Sequence, residues 1–324
     1  MQYIDMHCDT LMMAWRKGWA DIYHSPELMV DIQRLRQGGC RAQFFAIFLP
    51  SPTMKERMGL VHMDDDVYIE QLGQIFRNTL KQHGDVVAQA SNLVQVRENT
   101  RAGKLSTILT MEDGRSVDSK MEKLERYYNM GVRVIGLTWN QENCFGAPNS
   151  RDATIMAKGL TDFGKEAILR MNELGMGVDV SHLSDGGFWD VARLTKKPFF
   201  ATHSNCRSLN PHPRSMTDEM IRALADKGGV MGVNFCPAFL VQDTENTRAT
   251  CEMLTAQLRH MIQVGGEDIA AIGTDFDGMN GALEIASADQ MPKLFTALEQ
   301  AGFTAREIEK IAYANAERVI GEVL

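Results

Sequence analysis

Five side chains suited to gripping a metal follow short apolar runs in this 324-residue chain. His7 and Asp9 follow Tyr3-Ile4, and Glu112 follows Leu105-Ser-Thr-Ile-Leu-Thr-Met111. His182 follows Met176-Gly-Val-Asp-Val-Ser181, and His203 follows Pro198-Phe-Phe-Ala-Thr202. In the first run Ile4, Met6 and Cys8 alternate with Asp5, His7 and Asp9, the period-two pattern of a strand. His7 and Asp9 are therefore expected side by side at its exit. Three imidazoles suit zinc, and carboxylates fill the remaining positions. A carboxylate bridging two ions would hold them ~3.5–4 Å apart, where a shared water becomes a nucleophile at neutral pH. Each residue alone has a plainer reading. His182 or His203 can be a hydrogen-bonded core histidine, and Glu112 before Asp113-Gly114 can belong to a turn. Five such residues at the same end of four strands point instead to a two-metal site.

The elements that must position them read as alternating strands and helices. Apolar strands are expected over 41–49, 105–111, 132–138, 176–181, 198–202, 229–234 and 269–274, besides the first. Pro50 and Pro52 stop the second. Helical patterns are expected over 58–83, 94–102, 116–130, 161–174, 184–196, 217–227 and 247–264, with two or three more closing the chain. A loop rich in Asn, Gly and Pro spans 139–159, and Asp64-Asp65-Asp66 reads as a solvated face or a helix start. Eight strands separated mostly by helices predict an α/β fold, a (β/α)8 TIM barrel over residues 1–324 as a single domain. A doubly wound sheet is the alternative. The barrel better explains why polar residues recur at strand C-termini, because those ends converge on one mouth.

Composition narrows the partners. With 44% hydrophobic and 23% charged residues the chain can bury a large core, so an ordered globular protein is expected. A net charge of −8 and a pI near 5.5 argue against nucleic acid or an anionic membrane as partner. No apolar stretch approaches the ~20 residues of a spanning helix, and no secretory leader is visible before the first strand. Cys8, Cys40, Cys144, Cys206, Cys236 and Cys251 lack Cys-x-x-Cys spacing and are expected as reduced thiols. The expected location is the cytoplasm.

Six segments in this order and spacing carry a resemblance over essentially the whole chain. They are His7-Cys8-Asp9, Met111-Glu112-Asp113-Gly114, Asp179-Val-Ser-His182, Thr202-His203-Ser204, Pro213-Arg214-Ser215 and Gly273-Thr-Asp275-Phe-Asp277-Gly278. The sequence resembles the membrane (renal) dipeptidase family, the M19 metallopeptidases. That resemblance implies a barrel with two zinc ions, His7, Asp9 and Glu112 serving one and Glu112, His182 and His203 the other, with Glu112 bridging. It implies Arg214 as the partner of the substrate's terminal carboxylate, a role its guanidinium fork suits. It also implies Asp275 as the proton-transfer group; the plain alternative is a helix N-cap. Asp277 is expected to brace the turn. His24, His62, His83, His212 and His260 match no ligand position.

One departure stands out. Many relatives carry a histidine after the Leu-Thr of the fourth strand, where this chain has Leu137-Thr138-Trp139-Asn140. The change puts the carbonyl contact and the usual substrate preference in question, and Trp139 is expected as an apolar wall at the mouth. The reading is a dinuclear zinc dipeptidase acting on small dipeptides with a free C-terminal carboxylate, L,D-dipeptides included, as a homodimer if it follows the family's habit. A related barrel hydrolase for N-acyl amino acids, lactones or phosphoesters is the competing enzyme. A binding protein on the same scaffold is the non-enzymatic alternative.

Overall fold

A computed structural model describes residues 1–241 and 248–324 of the chain. Eight strands form the central sheet: β1 (Tyr3–Asp5), β2 (Cys40–Phe48), β3 (Leu105–Glu112), β4 (Val132–Gly136), β5 (Gly177–Asp179), β6 (Phe200–Ser204), β7 (Val230–Val233) and β8 (Ala270–Ile272). Each pairs in parallel with the next, and β8 pairs with β1. The sheet closes into a (β/α)8 barrel wrapped by helices, as the alternating pattern predicts. The unbroken register of β2 on β3, from Ala42 opposite Ser106 to Phe48 opposite Glu112, places Glu112 at the barrel's C-terminal rim.

Two apolar cores hold this arrangement. The larger fills the layer between sheet and helices. The smaller plugs the barrel's N-terminal end, where Ile4, Phe44, Ile108, Val134 and Phe200 meet Val319 and Ile320. The last two belong to a C-terminal helix, Asn315–Val323, which covers that end. Burying such side chains contributes about 1.5–3 kcal/mol each.

The structure also departs from the sequence-based expectations. The strand expected through Asp9 ends at Asp5, and its alternation breaks: Ile4 and Met6 join the inner plug, while Cys8 joins the outer core. The helix expected over 58–83 starts at Asp65, because Asp64 caps it by accepting from the Asp66 N–H at 2.8 Å. A separate short helix, Pro52–Arg57, precedes it and ends before Gly59, whose φ of +71° suits glycine. The helix expected over 116–130 runs only over Met121–Met130, since Asp118 and Ser119 adopt left-handed backbone. A further short strand, Val87–Gln89, lies outside the expected strands and pairs with the start of β3. The helix expected over 247–264 is observed as Cys251–Gly265, and Thr247 lies outside the described residues. Among the described residues no helix is long and apolar enough to cross a membrane.

Candidate metal centre and active site

The five expected ligands converge at the barrel mouth, and all are buried. Glu112, the last residue of β3, sits between two groups of imidazoles. Its Oε2 lies 3.3 Å from His7 Nε2, while its Oε1 lies 3.0 Å from His182 Nε2 and 3.7 Å from His203 Nε2. Asp9 Oδ2 is 3.6 Å from His7 Nε2. Asp9 occupies the N-cap of helix Thr10–Arg16 yet accepts no capping bond, so its carboxylate is left for the mouth. The donor atoms cluster most tightly as His7, Glu112 and His203, and as His7, Asp9 and Asp275.

Surrounding groups orient the rings. Thr202 Oγ1 donates to Asp179 Oδ2 at 2.5 Å and must therefore accept from His203 Nδ1 at 2.8 Å. His203 Nε2 is then bare. Asn140 Oδ1, 3.3 Å from His182 Nδ1, fixes the same tautomer there. Two bare nitrogens consequently face each other at 3.2 Å. His7 Nε2 and Asp9 Oδ1 are buried without any hydrogen-bond partner. Leaving such groups unsatisfied costs about 1–3 kcal/mol apiece. Facing lone pairs and orphaned acceptors are what a divalent cation satisfies, so this donor set fits metal ions.

Electrostatics agree with that fit. Burial, and then repulsion from Asp9, push Glu112 up to about 8. Burial opposes a charged His7, yet neighbouring Glu112 and Asp9 hold its pKa well above the usual value. Burial drives His182 and His203 well below theirs, helped by the Arg214 and His7 charges. A bound cation would reverse the carboxylate strain.

Asp275 follows β8 with φ +62°, and His182 follows β5 with φ +67°. Both are held in a backbone region that side-chain-bearing residues rarely occupy, a cost that clusters at functional sites. Asp275 is not the start of a helix. Its Oδ2 accepts from Asn234 Nδ2 at 2.9 Å, its Oδ1 lies 3.8 Å from His7 Nε2, and burial raises its pKa to about 6. Asp277 braces the turn, accepting from Thr10 Oγ1 and the Met29 N–H, both at 2.7 Å.

A cavity of about 260 Å³ opens over these groups, near the small end of ligand pockets. Arg214, Trp139, Asp275, Asp9, Glu112 and His182 all line it. Arg214 is buried, with Nη1 donating to Ser204 Oγ at 3.0 Å and Nη2 to the His203 carbonyl at 2.8 Å, while Nε has no partner. Trp139 packs edge-on against Phe48, ring centres 5.0 Å apart, and 6.2 Å from the His182 ring.

Several lining residues were not singled out from sequence. His212, set aside there, lines the cavity beside Phe239. Asn149 donates its backbone N–H to the His182 carbonyl at 2.8 Å, and its Nδ2 is a buried donor without a partner. Gly278 is required where it stands, since a Cβ there would lie 2.0 Å from Asp9 Oδ2. Only Gly278 offered a signal, as the end of the Asp275-Phe-Asp277-Gly278 segment.

Relatives agree with this geometry. The profile of the membrane dipeptidases, peptidase family M19, matches residues 1–324. An uncharacterised Klebsiella pneumoniae protein from the pqqA 5′ region is 37% identical over 228 residues, 68% of this chain and 82% of that protein. An uncharacterised dipeptidase of Schizosaccharomyces pombe is 31% identical over 301 residues, 89% and 71% of the two chains. Among solved structures, a metallopeptidase from Rhodobacter sphaeroides superposes with a TM-score of 0.87 at 25% identity, covering 100% of this chain and 99% of that one. A family M19 dipeptidase superposes with a TM-score of 0.85 at 26% identity, covering 100% and 98%. The chain belongs to the membrane dipeptidase family, peptidase family M19, a family of metal-dependent dipeptidases.

Proposed function

We propose that the chain, acting as one barrel domain, is a dinuclear zinc dipeptidase. The observation that carries this reading is Glu112, whose two oxygens face different imidazoles. His7, Asp9 and Glu112 would hold one ion, and Glu112, His182 and His203 the other; nitrogen donors with carboxylates suit zinc. When bound, the ions would polarise the scissile carbonyl and acidify a water between them.

The chain's own residues supply the rest. Arg214 receives the substrate's terminal carboxylate, because it lines the cavity and its guanidinium, charge-assisted as a donor, keeps an unpaired Nε–H. Asn149 lines the same cavity and has an unpaired neutral donor in its Nδ2. Trp139 and Phe48 form an apolar side that excludes water and bounds the substrate side chain. Asp275 takes a proton from the attacking water and delivers it to the leaving nitrogen, a role that suits a buried carboxylate that lines the cavity, is held by Asn234 and lies 3.8 Å from His7 Nε2.

The Rhodobacter sphaeroides relative was crystallised with a phosphinate mimic of the dipeptide L-Ala-D-Ala, which supports small L,D-dipeptides as substrates. A hydrolysis screen of L,L and L,D dipeptides beside N-acyl amino acids, with zinc measured on the same sample, tests the reading. Dipeptides should be the faster substrates. Faster cleavage of N-acyl amino acids would favour the competing hydrolase.

A further inference from the structure

Behind Glu112 lies a second constellation, centred on Arg115. Its guanidinium has five N–H groups, and all five are used. Nε donates to Asp65 Oδ2 at 3.1 Å, and Nη1 donates to the Leu49 carbonyl and to Asp113 Oδ2, each at 2.8 Å. Nη2 donates to the Pro50 carbonyl at 2.8 Å and to Asp65 Oδ1 at 3.1 Å. Full use of a rigid fork leaves no freedom of placement, and no lysine can reproduce it.

Its partners lie on two sides. Asp113 immediately follows Glu112, carries φ +68°, and accepts a second bond at 2.8 Å from Asn143 Nδ2, which also donates to the Leu137 carbonyl beyond β4. Leu49 in turn donates its N–H to the Glu112 carbonyl at 3.1 Å. The strand exits on either side of Glu112 are thus tied to its own turn. On the other side, Asp65 pairs with Lys55 at 2.5 Å, and Lys55 Nζ donates to the Met63 carbonyl at 2.8 Å. Lys55 belongs to helix Pro52–Arg57, which brings Met54 to the cavity wall. The acidic run at 64–66 is therefore more than a solvated face or a helix start: Asp64 caps the helix, and Asp65 fastens the neighbouring helix to the turn at Glu112.

We infer that Arg115 is a positioning residue that couples two parts of the site. Through Asp113 it sets the carboxylate of Glu112, and through Asp65 it sets the Met54 wall against which the substrate side chain rests. The inference rests on the proposed function in both arms, on the dipeptidase activity for its kinetics and on the zinc site for its metal measurements. A displacement of about 1 Å in a reacting constellation can cost ~10²-fold in rate.

Two substitutions separate the arms. Arg115→Lys keeps the charge and loses the fork, so zinc affinity should fall about 10–100-fold, as for other groups that orient metal ligands. The visible spectrum of the cobalt-substituted protein should shift with it, and kcat on a dipeptide should drop by at least about tenfold. Asp65→Asn spares the bonds to Leu49, Pro50 and Asp113. It should raise KM several-fold for dipeptides with large apolar residues, leaving kcat, zinc affinity and the cobalt spectrum unchanged. A lowered Tm in both variants with native kinetics, zinc affinity and spectrum would reduce Arg115 to a fold-stabilising residue and overturn the inference. If the wild-type protein splits no dipeptide, the dipeptidase reading fails, while the zinc and cobalt measurements still decide the role of Arg115. Should Arg115→Lys fail to fold, Asn143→Ala, which frees Asp113 from the β4 side, must weaken zinc binding in the same way; native zinc affinity there would count against the inference.

Discussion

At the N-terminal end of the barrel, Ile4, Phe44, Ile108, Val134 and Phe200 close the interior with hydrocarbon, and the helix Asn315–Val323 covers them. At the C-terminal end the same strands deliver carboxylates and imidazoles that leave His7 Nε2, Asp9 Oδ1, Asn149 Nδ2 and Arg214 Nε without partners. Backbone strain divides likewise: Asp113, His182, Asp275 and Asp277 adopt positive φ at the strand exits above the mouth. The apolar end stabilises the fold, and the polar end stores the unmet demands that a metal and a substrate answer. Substitutions at the two ends should therefore fail in different measurements.

The largest effect is expected at the mouth. Asp275→Asn keeps size and hydrogen bonding but cannot pass a proton, so kcat should fall by ~10²–10⁴-fold with metal content unchanged. Near-native turnover in the fully metallated variant would remove Asp275 from proton transfer; loss of a metal would make it a ligand. At the other end, Phe44→Ala should lower unfolding free energy by about 3–5 kcal/mol, measured by denaturant titration, with kcat/KM of the folded fraction unchanged. A catalytic defect there would blur the division between the ends. Arg214→Ala should weaken capture of a free-acid dipeptide by about 1.5–3 kcal/mol, and the loss should nearly vanish on the dipeptide amide. Equal losses on both would place the carboxylate elsewhere. The smallest change is expected from Trp139→His, which should shift the ratio of kcat/KM between small and bulky dipeptides by roughly tenfold while zinc stays bound. An unchanged ratio would take Trp139 out of the pocket.

The two ends were not equally legible in the sequence. Apolar strands at helical intervals revealed the barrel, and the side chains ending them pointed to the candidate ligands that the mouth brings together, because both signals are local in the chain. The partners that steer those ligands are not. Asn140 meets His182 across 42 residues, and Arg115 meets Asp65 across 50, with nothing in either stretch to announce the pairing. His212 matched no ligand position, and nothing local in the chain places it at the cavity, because only the folded loop brings it there. The break before Asp65 escaped an amphipathic pattern that continues through it, since a cap overrides periodicity by satisfying N–H groups locally.

In the proposed dinuclear site Glu112 would serve two ions at once. Zinc analysis after reconstitution and removal of loose metal, on wild type and Glu112→Gln in parallel, tests that directly. Wild type should approach two equivalents per chain, because five donor residues, one of them the divided carboxylate, exceed the needs of a single open site. Glu112→Gln should weaken both ions together. A wild-type stoichiometry of one or zero, or a variant that still holds two ions tightly, would contradict the account.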